Sequence, residues 1–235
     1  MPKETFENLP SEKRERFIDA ALEEFAANDY RDASISRIAG KAGIAKGSVY
    51  QYFADKKDVY LYLINLGGKL KLDFIRSKQA EVDWSDFYEG FRKYLLLGAQ
   101  FEFSGPRAVR LASLMRKALA TDAWDESFSK MKVQSQAAIA GLVERAMKQG
   151  QIRSDISVGM AAYYVNSLVI GIADYVASAL GVSVVELADR LLPQSQGPED
   201  AGRAAQPPDR LNVLGLDFRK VIDDLIALMK GGLQS

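Results

Sequence analysis

Residues Ser34 to Lys57 read SISRIAGKAGIAKGSVYQYFADKK. Ser34 is a residue type that caps helices, its hydroxyl able to accept from a first-turn N–H. Ile35, Ile38, Ala39 and Ala42 then recur at the spacing of one helical face. Gly43 ends the run, and glycine at a helix end takes the left-handed turn that other residues resist. A second helical pattern extends from about Lys46 to Phe53, with Val49, Tyr52 and Phe53 as its apolar side. Two short helices joined by a glycine-containing turn are the outline of a helix-turn-helix. Ala39 is small where the two would cross, and Val49 supplies the second helix's inward contact. The outward face then holds Lys46, Ser48, Tyr50 and Gln51, donor-bearing side chains able to reach phosphates or base edges in a major groove. Asp55 can cap the next helix, whose first turn contains Lys56 and Lys57. Cations at that end oppose the helix macrodipole, which points to another anionic partner, and DNA phosphate fits.

A glycine turn by itself fits an ordinary three-helix core carrying a solvated polar face better than a DNA reader. The longer pattern favours the DNA reader. Ser34-Ile35, Ile38-Ala39, Ala42-Gly43-Ile44, Lys46-Gly47-Ser48, Val49-Tyr50, Tyr52-Phe53 and Asp55-Lys56-Lys57 together resemble the N-terminal domain of the TetR family of transcriptional regulators, over about Glu12 to Leu66. The resemblance implies an all-α chain in two parts. An N-terminal arm and three-helix helix-turn-helix DNA-binding domain would occupy residues 1–55, and a larger helical effector-binding and dimerisation domain residues 56–235. It implies DNA contacts from Ser34, Lys46, Gly47, Ser48, Tyr50, Gln51, Tyr52 and Lys56, with Ser34 and Lys56 on phosphates. One departure stands out: Ala45 occupies a position where members often carry serine or another capping residue, so the second helix lacks that side-chain cap.

Composition bounds the rest. With 235 residues, apolar content of 48% and seven prolines, the chain has ample material for a helical core. The net charge is zero, but between Arg31 and Lys57 six basic residues face two acidic ones, a local excess suited to phosphate. Cysteine and histidine are both absent, which excludes disulfides, thiol chemistry, Ser-His-Asp triads and histidine-bearing metal sites. No cofactor, no metal and no enzymatic activity are expected: the acidic residues are scattered among basic ones, and no phosphate loop appears. The first sixteen residues, MPKETFENLPSEKRER, lack the apolar core of a signal peptide, which suits a bacterial cytoplasm.

Taken in order, residues 1–10 read as a short flexible arm, followed by a helix capped by Ser11 with Phe17, Ile18, Ala21, Leu22 and Phe25 as its stripe. In the family, the ring at the position of Tyr30 packs beneath the helix-turn-helix. A fourth helix runs from Asp55 to about Ser77; Gly67-Gly68 interrupts it as either a hinge or a close packing point. Three more helices are expected between Asp83 and Ile152. The first starts at Asp83 or Ser85, the second at Pro106, and the third near Thr121. Nine of the chain's 23 aromatic residues lie between Trp84 and Phe128. Such stripes are commonly core, but in the family this region encloses the effector pocket. Phe91, Tyr94, Phe101, Phe103, Trp124 and Phe128 are the candidates, with Tyr163, Asn166 and Gln134 as polar anchors for a largely apolar small molecule.

Residues 156–173 carry no charge, eighteen in a row, which meets the lower limit for a membrane span. Ser157, Asn166 and Ser167 dilute that stretch, and a buried helix of a membrane-free protein explains it better. Ser183-Val184-Val185-Glu186 reads as a capping box opening a short helix. Residues 193–210 hold four prolines, two glycines and no large apolar residue, the pattern of a mobile loop. A last helix at about 215–230 has a wide apolar stripe including Phe218 and Leu225. Residues 156–180 and 215–230 are therefore expected to pair with their copies in a homodimer. The whole reads as a ligand-responsive regulator, a repressor released from its double-stranded DNA operator by an apolar or aromatic effector. The alternative is a helical carrier or adaptor whose N-terminal unit binds protein.

Overall fold

Helices supply nearly all the regular structure. The computed structural model describes residues 2–120, 126–183, 186–187, 190, 212–213 and 215–234. In chain order its helices are α1 (Glu4–Glu7), α2 (Ser11–Ala27), α3 (Ile35–Ala42), α4 (Lys46–Tyr52), α5 (Lys56–Ser77), α6 (Phe87–Glu102), α7 (Pro106–Ala120), α8 (Glu126–Lys148), α9 (Val158–Ala179) and α10 (Phe218–Leu233). A two-residue antiparallel pair, β1 (Asn212–Val213) with β2 (Leu216–Asp217), precedes α10. β2 falls within the stretch 215–230 expected as helix, which begins instead at Phe218. The expected loop at 193–210, the start near Thr121, and Val184 and Val185 of the Ser183–Glu186 box lie outside the described residues.

Packing groups the described residues into two units: 2–72 and 104–120 form the body of the first, and 73–103, 126–183, 212–213 and 215–234 the second. The first unit thus extends past residue 55, taking in most of α5 and all of α7, because α2 packs against α7 as well as against α3. Gly67 shows why α5 belongs here. A Cβ at that position would lie 3.2 Å from the Met115 sulfur and 3.4 Å from Leu111, so this glycine serves close packing on α7 within a continuous helix. The second unit buries Phe87, Tyr88, Phe91, Val143, Val165, Ile222 and Met229 in one core. Gly90 lets the chain turn back on itself there, since a Cβ would meet the Asp83 carbonyl at 2.7 Å and the Trp84 ring at 2.8 Å. Gly232 likewise leaves room for the Tyr164 hydroxyl, which donates to the Leu228 carbonyl at 3.2 Å.

Several helix ends follow local rules. Gly43 (φ 69°, ψ 34°) closes α3 in a Schellman motif: Ile44 N–H reaches Ala39 O at 3.0 Å and Gly43 N–H reaches Gly40 O at 3.2 Å. Asp55 caps α5 by accepting from Asp58 N–H at 2.8 Å, and Ser157 caps α9 by accepting from Met160 N–H at 3.1 Å. Other ends differ from the sequence reading. Asp86, rather than Asp83 or Ser85, caps α6, accepting from Tyr88 and Glu89 N–H. Ser11 is the first helical residue of α2, with Pro10 before it and no side-chain cap. Residues 4–7 form a helical turn instead of a flexible arm, because Phe6, 0% exposed, is locked among the rings of Phe17, Tyr52, Phe53 and Tyr62 at centroid distances of 4.8–5.9 Å.

The start of α3 is held by a distant carboxylate. The Ser34 hydroxyl makes no cap bond; Glu24 of α2 accepts from the Ser34 N–H at 2.9 Å and from Arg37 Nε at 2.8 Å. Glu24 is 1% exposed. Burial pushes its carboxyl up, but the Arg37 guanidinium and the Ser34 N–H outweigh that and hold it below the ordinary carboxylate value. A depressed carboxylate stabilises the fold fully above its unfolded-state pKa, and that contribution is lost as pH falls through the folded value. Stability of the first unit should therefore decline as pH drops below the reference 4.5. Glu24→Ala should cost about 1–3 kcal/mol, the penalty for an unsatisfied buried donor, and flatten the acid limb of a denaturation-midpoint-against-pH curve. An unchanged limb in that variant would assign the acid sensitivity elsewhere.

Candidate nucleic-acid interface

The exposed face of α4 is the best candidate for contact with a large anionic partner. Its apolar side turns inward through Val49, fully buried, and Phe53 just beyond. Lys46, Gly47, Tyr50 and Gln51 are exposed, and their one- and four-residue spacing sets them on one side of the helix. Tyr50 is 43% exposed, unusually so for a large ring. Exposed residues of α3, Ser36, Arg37, Gly40 and Lys41, belong to the same helix-turn-helix. Ser48 is half-buried, its N–H donating to the Ala45 carbonyl at 2.9 Å within the first turn. Ala45 indeed offers no side-chain cap.

Three of the sequence candidates are placed differently. Lys56 does not reach outward: its ammonium donates to the Arg31 and Ala33 carbonyls, both at 2.9 Å, and sits 4.7 Å from the Tyr30 ring centroid. It closes the loop between α2 and α3, a structural task that occupies the charge. Ser34 is half-buried, with its backbone engaged by Glu24. Tyr52 is half-buried against Phe6. Tyr30 itself packs parallel to Phe25 of α2 and edge-on to Tyr60 of α5. Burial, with Tyr30 and Asp29 adding to it, pushes the Tyr60 hydroxyl well above the ordinary tyrosine value, so this ring stays neutral.

Sequence reasoning missed the groups that hold the far end of α4. Lys3 N–H donates to the Tyr52 carbonyl at 2.8 Å, Lys3 Nζ to the Tyr50 carbonyl at 2.9 Å and Thr5 Oγ1 to the Gln51 carbonyl at 2.8 Å. The one signal was Phe6, a lone large ring in an otherwise polar arm. Pairing also reduces the local positive excess. Arg37 joins Glu24, and Lys41 lies 3.5 Å from Glu23.

The expected effector residues that are described sit in the second unit, and of these the structure brings Phe91 and Tyr94 together. Phe91 is fully buried, parallel to both Phe87 and Tyr94. Phe101 packs on Phe74, and Phe103 meets Phe218 edge-on. Asn166 is buried. Tyr163 is 66% exposed on the outer side of α9, so it does not line the interior. Trp124 lies outside the described residues, as do the side chains of Phe128 and Gln134. One cleft of this unit, about 230 Å³, is lined by Ser85, Asp86, Tyr88, Gly150, Gln151 and Gln234, and by none of the effector candidates. Among the described residues no cluster of acidic, histidine or cysteine groups could hold a metal ion.

The helix-turn-helix segment is shared with known proteins. The family described as "Bacterial regulatory proteins, tetR family" matches residues 17–63, which span α2 to the start of α5. The HTH-type transcriptional regulator SrpR of Pseudomonas putida is 42% identical over 74 residues, 31% of this chain and 35% of that protein, so the match spans about a third of that relative's length. The fold is shared with the regulator FadR of Bacillus subtilis in complex with stearoyl-CoA, at 18% identity and TM-score 0.56 over 75% of this chain and 94% of that one. A TetR family transcriptional regulator from Chloroflexus aurantiacus aligns over 100% of this chain and 99% of its own, with 36% identity and a TM-score of 0.69. Similar to that regulator from end to end, and matching the family's pattern across its helix-turn-helix, the chain belongs to the TetR family of transcriptional regulators.

Proposed function

We propose that this regulator is a homodimeric repressor that binds duplex operator DNA through α4 and releases it when a largely apolar small molecule enters the second unit. The observation that carries the DNA reading is the exposed set Lys46, Gly47, Tyr50 and Gln51 on a helix whose C-terminal end is held by Lys3 and Thr5. Lys46 can neutralise a phosphate or meet a guanine edge, and the Gln51 amide suits adenine. Such work belongs in the bacterial cytoplasm. Lys46→Met should weaken binding to all duplexes and flatten the salt dependence by about one unit of log-log slope. Lys56→Met should instead lower thermal stability, because its ammonium holds two carbonyls. A slope that changes for Lys56→Met and not for Lys46→Met, measured by fluorescence anisotropy, would reverse these assignments.

Dimerisation is supported by the outer faces of α9 and α10. Met160, Tyr163, Ser167, Ile170 and Asp174 are exposed and recur at alternating three- and four-residue steps, the spacing of a helix–helix seam. On α10, Leu228 is exposed, with Ala227 and Gly231 small beside it. The residues singled out from sequence, Phe218 and Leu225, face their own core instead: Leu225 is 8% exposed and Phe218 packs on Phe103. By length and composition Val158–Ala179 is also apolar enough to cross a membrane; a second copy of the same seam is the cover proposed here. Tyr163→Glu with Leu228→Glu should yield a monomer in sedimentation equilibrium with its far-UV spectrum retained, and should abolish operator binding, since half-sites are read in pairs. A dimer that survives both changes excludes this seam.

The effector reading rests on the aromatic core of the second unit and on the family. An acyl compound is the first probe to try, given the stearoyl-CoA bound to the FadR relative. A ligand can shift the regulator only by favouring one state over another. By reciprocity, operator DNA should weaken the binding of an inducer by the same factor that the inducer weakens operator binding. Isothermal titration of an acyl-CoA or a fatty acid, with and without DNA, measures that factor; equal affinities exclude induction by that compound.

A further inference from the structure

We propose that Lys3 and Thr5 are positioning residues for DNA reading: the segment Lys3–Phe6 clamps the C-terminal end of α4 and so fixes the face that Tyr50 and Gln51 present. This deepens the reading that α4 contacts DNA and rests on it. A helix leaves its last four carbonyls without partners of its own. In α4 these belong to Val49, Tyr50, Gln51 and Tyr52, and each is met. Val49 O accepts from Phe53 N–H at 2.9 Å, while Tyr50, Gln51 and Tyr52 accept from Lys3 Nζ, Thr5 Oγ1 and Lys3 N–H. The donors from Lys3 and Thr5 come from 46 residues or more away in sequence. No local device does the same work. Phe53 follows the helix in extended conformation, with no left-handed glycine, and Ala45 provides no cap at the other end. Lys3 also places a cation at the negative end of the helix dipole.

Phe6 is what keeps the clamp seated. It is fully buried among Phe17, Tyr52, Phe53 and Tyr62, so Lys3 and Thr5 are tethered to the aromatic base of the first unit. Arg14 Nη1 adds a bond to the Glu7 carbonyl at 2.9 Å. A seven-residue helix is too short to persist alone in water. With three of its terminal carbonyls released, the turn carrying Tyr50 and Gln51 frays, and frayed side chains meet a groove at an entropic cost.

The test uses the full chain and a duplex selected by the wild-type protein from random-sequence DNA. Thr5→Val removes the hydroxyl and keeps the shape; its loss of one hydrogen bond should weaken binding roughly threefold, and Lys3→Met with Thr5→Val roughly tenfold or more. Thr5→Ser, which keeps the donor, should restore affinity. Because Thr5 is uncharged, the salt slope should not change with Thr5→Val. Amide exchange provides a readout independent of DNA: residues 48–53 should exchange faster in Thr5→Val, while those of α2 remain as in wild type. If Thr5→Val and the double variant bind the selected duplex as wild type does, or if α4 exchange is unchanged, the clamp is overturned. If the wild-type chain selects no duplex, the DNA reading fails instead, and the exchange experiment still decides whether Lys3–Phe6 holds α4.

Discussion

Three carbonyl oxygens at the end of a seven-residue helix set the terms for the first unit. Helix-end carbonyls have no partner within their own helix and otherwise turn to water. The chain meets them with donors from its own N-terminal segment, and that segment stays in place because Phe6 lies in the ring cluster shared by α2, α4 and α5. The same rings settle where α4 can lie. At the other end, the Gly43 turn sets the angle at which α4 leaves α3, and α3 is anchored to α2 by Glu24. The outward face of α4 is the remainder left after these inward demands are met. That is why Lys46, Tyr50 and Gln51 are exposed together, although nothing in their own chemistry puts them there.

What could be read from sequence follows the range over which each signal acts. Gly43, Asp55, Pro106 and Ser157 work through bonds spanning a few residues, and helix ends at all four positions agree with their residue types. Glu24, Lys56 and Lys3 work through partners 10, 23 and 47 residues away. No local pattern distinguishes such residues from solvated charges, so Lys56 was assigned to phosphate when it closes a loop. Ser34 erred in the same direction: a good cap by type, it was bypassed because a buried carboxylate already held the first turn.

The apolar helices show a second limit. Along α9 almost every position is uncharged, so periodicity marks no single stripe as inward. Tyr163 and Asn166 lie three residues apart, were grouped as anchors of one pocket, and face opposite environments. On α10 the stripe is wide enough for two surfaces, and Leu225 rather than Leu228 was assigned to the shared one. Only packing tells them apart: α9 and α10 meet where Tyr164 packs at Gly232 and donates to the Leu228 carbonyl, and the Leu228 side chain is left exposed.

Charge deserves a separate accounting, because the chain as a whole is neutral and so gains little from long-range attraction to DNA. Six cations against two acids between Arg31 and Lys57 suggested that a local field would compensate. The fold uses several of these cations internally: Arg37 on Glu24, Lys41 near Glu23, Lys56 on two carbonyls. Affinity built on such a surface depends less on the number of charges than on holding the remaining donors in register with phosphates and base edges. A protein short of electrostatic attraction has correspondingly more to lose from a loose reading helix. The bonds from Lys3 and Thr5, and the buried carboxylate beneath α3, are then parts of one solution, in which order at α4 substitutes for charge around it.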